Sequence, residues 1–214
     1  GMEKIYRHSK KGKYYVYDLE SKELTLISEN KIQEPTFSPD GKKVAFAYQN
    51  NLYIKDLETK TTTQITFDGK HNEVINGIAD WVYEEEFSFV RAFHWNESSD
   101  MVAYLRFDES EVPEFSMDIY GSSLYPKQQV FKYPKAGENN SKVSLQIYDL
   151  TQNSTAVVNL EKYEPYYIPR LKWTQDPYSL SVTTLNRHQN NLRLLRVNAR
   201  ENAVSLLLEE KDDA

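Results

Sequence analysis

Cysteine is absent from the 214 residues of this chain. That excludes a disulfide framework, a thiolate nucleophile and a thiolate metal site, and it leaves the redox compartment open. Glycine is sparse: Gly1, Gly12, Gly41, Gly69, Gly77, Gly121 and Gly137 are all there are. No two of them frame a serine as Gly-x-Ser-x-Gly, and no glycine-rich phosphate loop can be built from them. His8, His71, His94 and His188 are isolated, without His or carboxylate neighbours at metal-ligand spacing. They are expected to be structural or surface residues, so the sequence carries no catalytic residue, metal site or cofactor site. No apolar run of about 18 residues occurs, which leaves no candidate membrane-spanning helix. Positive charge is in deficit, with 26 Lys and Arg against 32 Asp and Glu for a net charge of −6. That argues against nucleic acid as a partner, because phosphate binding needs a basic patch. Gly1 ahead of Met2 reads as an expression scar and is set aside, so a missing targeting segment says nothing of the intact protein.

What is present is apolar and aromatic. Hydrophobic residues make up 39% and aromatics 13%, with 16 Tyr, enough for a core rather than a disordered chain. Stretches rich in Tyr, Thr and Val favour strands. The clearest unit runs from Glu34 to Thr66. Pro35-Thr36-Phe37 is a short extended piece, and Ser38-Pro39-Asp40-Gly41 is a turn in which proline fixes φ and glycine permits φ > 0. Lys42 to Gln49 reads as a strand with Val44, Phe46 and Tyr48 on one face. Asn50-Asn51 turns the chain, Leu52 to Asp56 is a third strand, and Thr61 to Thr66 is a fourth. Four short antiparallel strands in succession form a propeller blade.

Parts of this unit recur. Tyr15-Val16-Tyr17-Asp18-Leu19 and Leu145-Gln146-Ile147-Tyr148-Asp149-Leu150 repeat the third strand, with a looser copy at Leu194 to Asn198. Phe93-His94-Trp95-Asn96 and Leu171-Lys172-Trp173-Thr174 repeat the first. The expected architecture is all-β: a half blade at 3–30 and fuller blades at 34–66, 90–160 and 168–210. That is about three and a half four-stranded blades of a propeller, with one short helical insertion. A β-sandwich is the competing fold, and the blade-length periodicity favours the propeller.

Two insertions interrupt the pattern. The first, at 67–90, holds Trp81-Val82-Tyr83-Glu84-Glu85-Glu86-Phe87, with Asp80 placed to cap a short helix. Consecutive helical residues point about 100° apart, so the three carboxylates cannot share a face, but two can converge on one ligand. Such a pair suits an ammonium; a solvated acidic turn is the other reading. Glu84 to Glu86 are adjacent and cannot flank a glycosidic bond, and Glu109 and Glu111 have no evident aromatic sugar platform. The second insertion, at 108–141, has several Tyr, Phe and Pro residues and reads as an extended arm. It packs either on a partner or back onto its own blade.

Asn76-Gly77-Ile78-Ala79-Asp80-Trp81-Val82-Tyr83-Glu84-Glu85-Glu86 resembles the double-glutamate motif of the dipeptidyl peptidase IV family. Glu109-Ser110-Glu111-Val112-Pro113 and Tyr133-Pro134-Lys135-Ala136-Gly137 resemble further landmarks of that family in the same order, and Ser38 to Gly41 resembles its blade turns. The resemblance implies a truncated piece of an eight-bladed propeller that, in full, stacks on an α/β-hydrolase domain absent from this sequence. It implies a serine exopeptidase that removes Xaa-Pro or Xaa-Ala dipeptides from free peptide N-termini. The roles it implies are Glu85 and Glu86 as ligands of the substrate's ammonium and Arg7, in Tyr6-Arg7-His8-Ser9, as ligand of a substrate carbonyl. It further implies homodimerisation through the 108–135 arm. The lack of propeller disulfides fits a bacterial-type member, of a kind exported to the periplasm or cell surface or secreted. A non-catalytic propeller scaffold for protein interaction is the alternative.

Overall fold

The computed structural model describes residues 1–212. Short pieces come first: β1 (Glu3–Lys4) pairs with β2 (Lys10–Lys11), and β3 (Tyr15–Tyr17) pairs with β4 (Leu24–Leu26). Next is an antiparallel sheet of β5 (Gln33–Phe37), β6 (Lys43–Tyr48), β7 (Asn51–Asp56) and β8 (Thr62–Gln64), in that spatial order. After β9 (Val74–Asn76) and the helix α1 (Trp81–Glu86) come β10 (Phe93–Trp95) and β11 (Met101–Asp108). An excursion through β12 (Glu114–Ile119) and β13 (Lys127–Lys132) forms its own hairpin. The chain then returns as β14 (Lys142–Asp149) and β15 (Ser154–Val157), completing the sheet β10-β11-β14-β15. The last sheet is β16 (Tyr167–Trp173), β17 (Ser179–Leu185), β18 (Asn191–Asn198) and β19 (Ala203–Lys211). Consecutive meanders packed face on face make an all-β partial propeller, and the described sheets do not close a ring.

Strand periodicity explains how the sheets stack. Along β11, Met101, Ala103, Leu105 and Phe107 enter the core shared with the last sheet, while Val102 and Tyr104 enter the core shared with the preceding one. On β6, Val44 and Phe46 face Ile27 and Ile32, while Ala45 and Ala47 face Phe93 and Trp95. Successive side chains point to opposite faces, so a strand with both faces covered is apolar throughout. One hydrogen bond repeats between sheets. The Trp95 indole donates to the Thr36 carbonyl at 3.2 Å, and the Trp173 indole donates to the His94 carbonyl at 2.9 Å. Each tryptophan thereby ties the first strand of its sheet to the first strand of the sheet before.

The structure amends the strand reading in three places. The β6–β7 turn is Gln49-Asn50, one residue earlier than Asn50-Asn51. Both carry positive φ, 47° and 61°, as a two-residue hairpin of this twist requires. Asn51 is in the ladder opposite Tyr48, and its side-chain oxygen accepts from Gly69 N at 3.0 Å and from Thr66 Oγ1 at 3.1 Å. The fourth strand is confined to Thr62–Gln64. The first insertion supplies a strand, β9, that pairs with Arg106–Asp108 of β11 beyond the end of β10. At Gly77, φ is +72° and a Cβ would lie 2.6 Å from a Leu52 methyl, so only glycine lets the chain pass from β9 toward the helix.

Glu109, just past β11, is 6% exposed and forms no side-chain hydrogen bond among the described residues. Burial, chiefly, pushes its carboxyl from 4.5 to about 7; Asp80 and Asp108 add to the rise and Lys132 opposes it. The folded state therefore holds this proton up to about pH 7, whereas the unfolded chain releases it near 4.5. The contribution to stability is complete below the lower value and is lost as pH rises through the upper one. Urea unfolding at pH 5 and pH 8 should show the wild type losing up to about 3 kcal/mol more than Glu109→Gln across that interval. Equal losses in both proteins would refute a buried, protonated Glu109.

Candidate functional site

The site is built on the six-residue helix α1, too short to persist alone and held by its surroundings. Asp80 is the N-cap; its carboxylate accepts from Tyr83 N at 2.9 Å and from the Ser141 hydroxyl. Burial raises the Asp80 carboxyl, and those hydrogen bonds work against the rise. Tyr83, 1% exposed, packs edge-on to Phe107 at 4.8 Å between ring centroids and lies 5.0 Å from Phe87. Its hydroxyl accepts from Ile168 N at 3.0 Å, which fixes the helix to the last sheet. Trp81 meets the Tyr133 ring edge-on at 4.4 Å.

The three glutamates take three different environments. Glu84 is 1% exposed and points inward. Its Oε1 accepts from His8 N at 2.6 Å and Ser9 N at 2.9 Å, while its Oε2 is buried without a partner. Glu85 is half-buried and meets Arg7, whose Nε lies 2.9 Å from Oε2 and 3.1 Å from Oε1. Glu86 is exposed and has no hydrogen bond or ion pair among the described residues. Arg7 and Glu85 thus meet near the C-terminal end of α1, where Glu86 is the last helical residue.

Arg7 is placed by its backbone. Ile5 N donates to Ser9 O at 2.9 Å and Tyr6 N to Ser9 Oγ at 3.0 Å, closing residues 5–9 into a tight loop. Glu84 holds the far side of that loop. Its importance was missed at the level of sequence, although a signal was there: three successive helical positions spread over about 200°, so the three glutamates could not all share one environment.

The second insertion is more regular than an irregular arm. β12 and β13 pair from Glu114 opposite Lys132 to Ile119 opposite Lys127. The root of the hairpin packs back, with Phe131 against Tyr6 at 5.8 Å and Phe115 against Tyr133 at 5.5 Å. Its tip is open, with Tyr120, Leu124 and Tyr125 at 79%, 97% and 82% exposure. The root therefore packs back onto the same chain, against the 5–9 loop, and the tip is uncovered. A cavity of about 740 Å³ lies between the root, Trp81 and Arg7.

Comparison with known proteins agrees with this architecture. A family model described as the dipeptidyl peptidase IV (DPP IV) N-terminal region matches residues 1–214. The crystal structure of Porphyromonas gingivalis dipeptidyl peptidase 4 is similar at 42% identity and a TM-score of 0.94, covering 99% of this chain and 30% of that one. Human prolyl endopeptidase FAP is 35% identical over 196 residues, 87% of this chain and 26% of that protein. Feline dipeptidyl peptidase 4 is 36% identical over 200 residues, 90% of this chain and 26% of that protein. The chain spans about a quarter of the length of these curated relatives. With the family model matched end to end and the solved relative superposed over nearly every residue, the chain belongs to the dipeptidyl peptidase IV family, in its N-terminal region.

Proposed function

We propose that these residues form the substrate N-terminus receptor of a serine-type dipeptidyl peptidase. Glu85 and Glu86 take the free ammonium of a peptide, and Arg7 takes a carbonyl of its first residues. The observation that carries this reading is the Arg7–Glu85 pair, held by a loop whose backbone is anchored on Glu84. An ammonium between two carboxylates forms charge-assisted hydrogen bonds. Holding it at a fixed point sets how many residues reach the scissile bond, which is a positioning role. Glu86 has no competing partner, and Glu85 shares its charge with an arginine that is 70% exposed, leaving room for both roles.

The full-length protein is then a peptidase acting on peptides with a free N-terminus, and the hairpin tip at Tyr120 to Tyr125 is its contact with a second copy. A scaffold without a substrate has one feature in its favour, the same exposed tip, but it gives no account of the carboxylate pair.

The test is hydrolysis of a Gly-Pro chromogenic substrate by the full-length protein. Glu85→Ala combined with Glu86→Ala should lower kcat/KM by two or more orders of magnitude, about 3 kcal/mol or more. An active wild type matched by the double variant would sink the receptor, and an inactive wild type would bring the scaffold forward. Glu84→Ala tests the anchor, because it touches no substrate yet removes the acceptor of two backbone N–H groups. It should cost roughly 1.5–3 kcal/mol of folding stability and lower kcat/KM about tenfold or more. Full activity in a stably folded Glu84→Ala protein would show that Arg7 is held by something else.

A further inference from the structure

The first strands β5, β10 and β16 lie side by side, joined by the Trp95 and Trp173 hydrogen bonds. Between them is a cavity of about 500 Å³ whose wall includes Glu34, Arg91, His94 and Arg170. Two of the strands are irregular at this point. The β5–β6 register shifts between Gln33 and Thr36, and the β16–β17 register shifts between Tyr167 and Arg170. Each irregularity contains a proline, Pro35 or Pro169, which cannot donate to the ladder. At the first of them Glu34 adopts φ +51°. Bulges of this kind redirect side chains, and here they deliver Glu34 and Arg170 to the cavity that Arg91 enters from the start of β10.

The charges there are not balanced. Arg7, Arg106, Arg193 and Arg196 each have a carboxylate partner. Arg91, Arg170, Arg187 and Arg200 have none within ion-pair distance among the described residues, but Arg187 and Arg200 each lie over a tyrosine ring, whereas Arg91 and Arg170 share one cavity. Arg91 donates to Thr36 Oγ1 at 2.9 Å, and its Nε is buried with no acceptor. Arg170 donates only to carbonyls, those of Phe87 at 2.8 Å and Pro169 at 2.6 Å. His94 is held neutral, its pKa lowered to about 4 by burial and then by Arg91. Glu34 is raised, chiefly by burial, with Arg91 and Lys10 opposing. Two guanidinium-bearing residues and one carboxylate line this space, and the buried Arg91 Nε–H there lacks the acceptor that buried donors normally have.

We propose that this cavity is a second binding site, one that takes a small carboxylate ligand, with Arg91 and Arg170 as its anchors and Glu34 as the negative wall that keeps it weak. The planar guanidinium fork matches a carboxylate better than a spherical anion. The site is independent of the receptor reading, since none of its residues belongs to the Glu85/Glu86 pair.

The probe is N-acetylglycine, which has a carboxylate but no ammonium, titrated against the full-length protein by saturation-transfer NMR beside its amide. The acid should bind and the amide should not. Arg91→Gln and Arg170→Gln should each weaken the acid at least tenfold, Glu34→Gln should tighten it severalfold, and Glu85→Gln with Glu86→Gln should leave it unchanged. Arg170 is exposed, so its variant remains informative if Arg91→Gln folds poorly. Equal binding of acid and amide, or full affinity in Arg170→Gln, would overturn the site. Inorganic phosphate binding more tightly through the same two arginines would overturn the carboxylate assignment in favour of a phosphate oxyanion.

Discussion

A single carboxylate oxygen, Oε1 of Glu84, accepts two backbone N–H groups from a segment more than seventy residues away in sequence. Most of what is distinctive in this molecule depends on that contact. It gives residues 5–9 a fixed place against α1, and so gives Arg7 a fixed place against Glu85. The helix that carries the oxygen is only six residues long and owes its shape to its cap and to the packing of Tyr83. Glu84 is therefore both supported and supporting, and its buried, partnerless Oε2 marks how tightly that junction is closed.

The sheets follow a different logic, in which each strand serves two neighbours. β11 contributes odd-numbered residues to one inter-sheet core and even-numbered ones to the other. Stability of this type is a chain of nearest-neighbour interfaces, as in repeat proteins. The tryptophan bonds at Trp95 and Trp173 set the spacing of first strands at each step. The cavity with Arg91 and Arg170 lies along that same row, where two strands depart from a regular ladder.

Much of the fold was legible because local chemistry and global packing agree. The Ser38-Pro39-Asp40-Gly41 turn closes as its residues demand, with Gly41 at φ +72° and Ser38 Oγ accepting from Lys43 N at 2.9 Å. Strands buried on both faces, such as Lys43–Tyr48, announce themselves as apolar runs. β9 was not legible, because Val74–Asn76 is too short to show a period and its place is set by pairing with β11. The β12–β13 hairpin had a signal that went unused, the alternation of Phe115, Met117 and Ile119 on one face. In the site, the cap at Asp80 was readable from residue type. The nearness of Arg7 to the helix was suggested only by family resemblance, since no local pattern links residues 78 positions apart. Nothing in the sequence brings Glu34 and Arg170 to the cavity that Arg91 enters; two register irregularities do that, and such irregularities leave no periodic trace.

The span between Ser9 and Glu84 also has a meaning in time. A chain made from its N-terminus exposes residues 5–9 well before α1 exists, so the loop waits without its acceptor while the β5–β8 sheet forms. Contacts of such long sequence separation close late, after the shorter-range meanders have reduced the entropy of bringing their ends together. The Arg7–Glu85 geometry is thus among the last features that the folding molecule acquires.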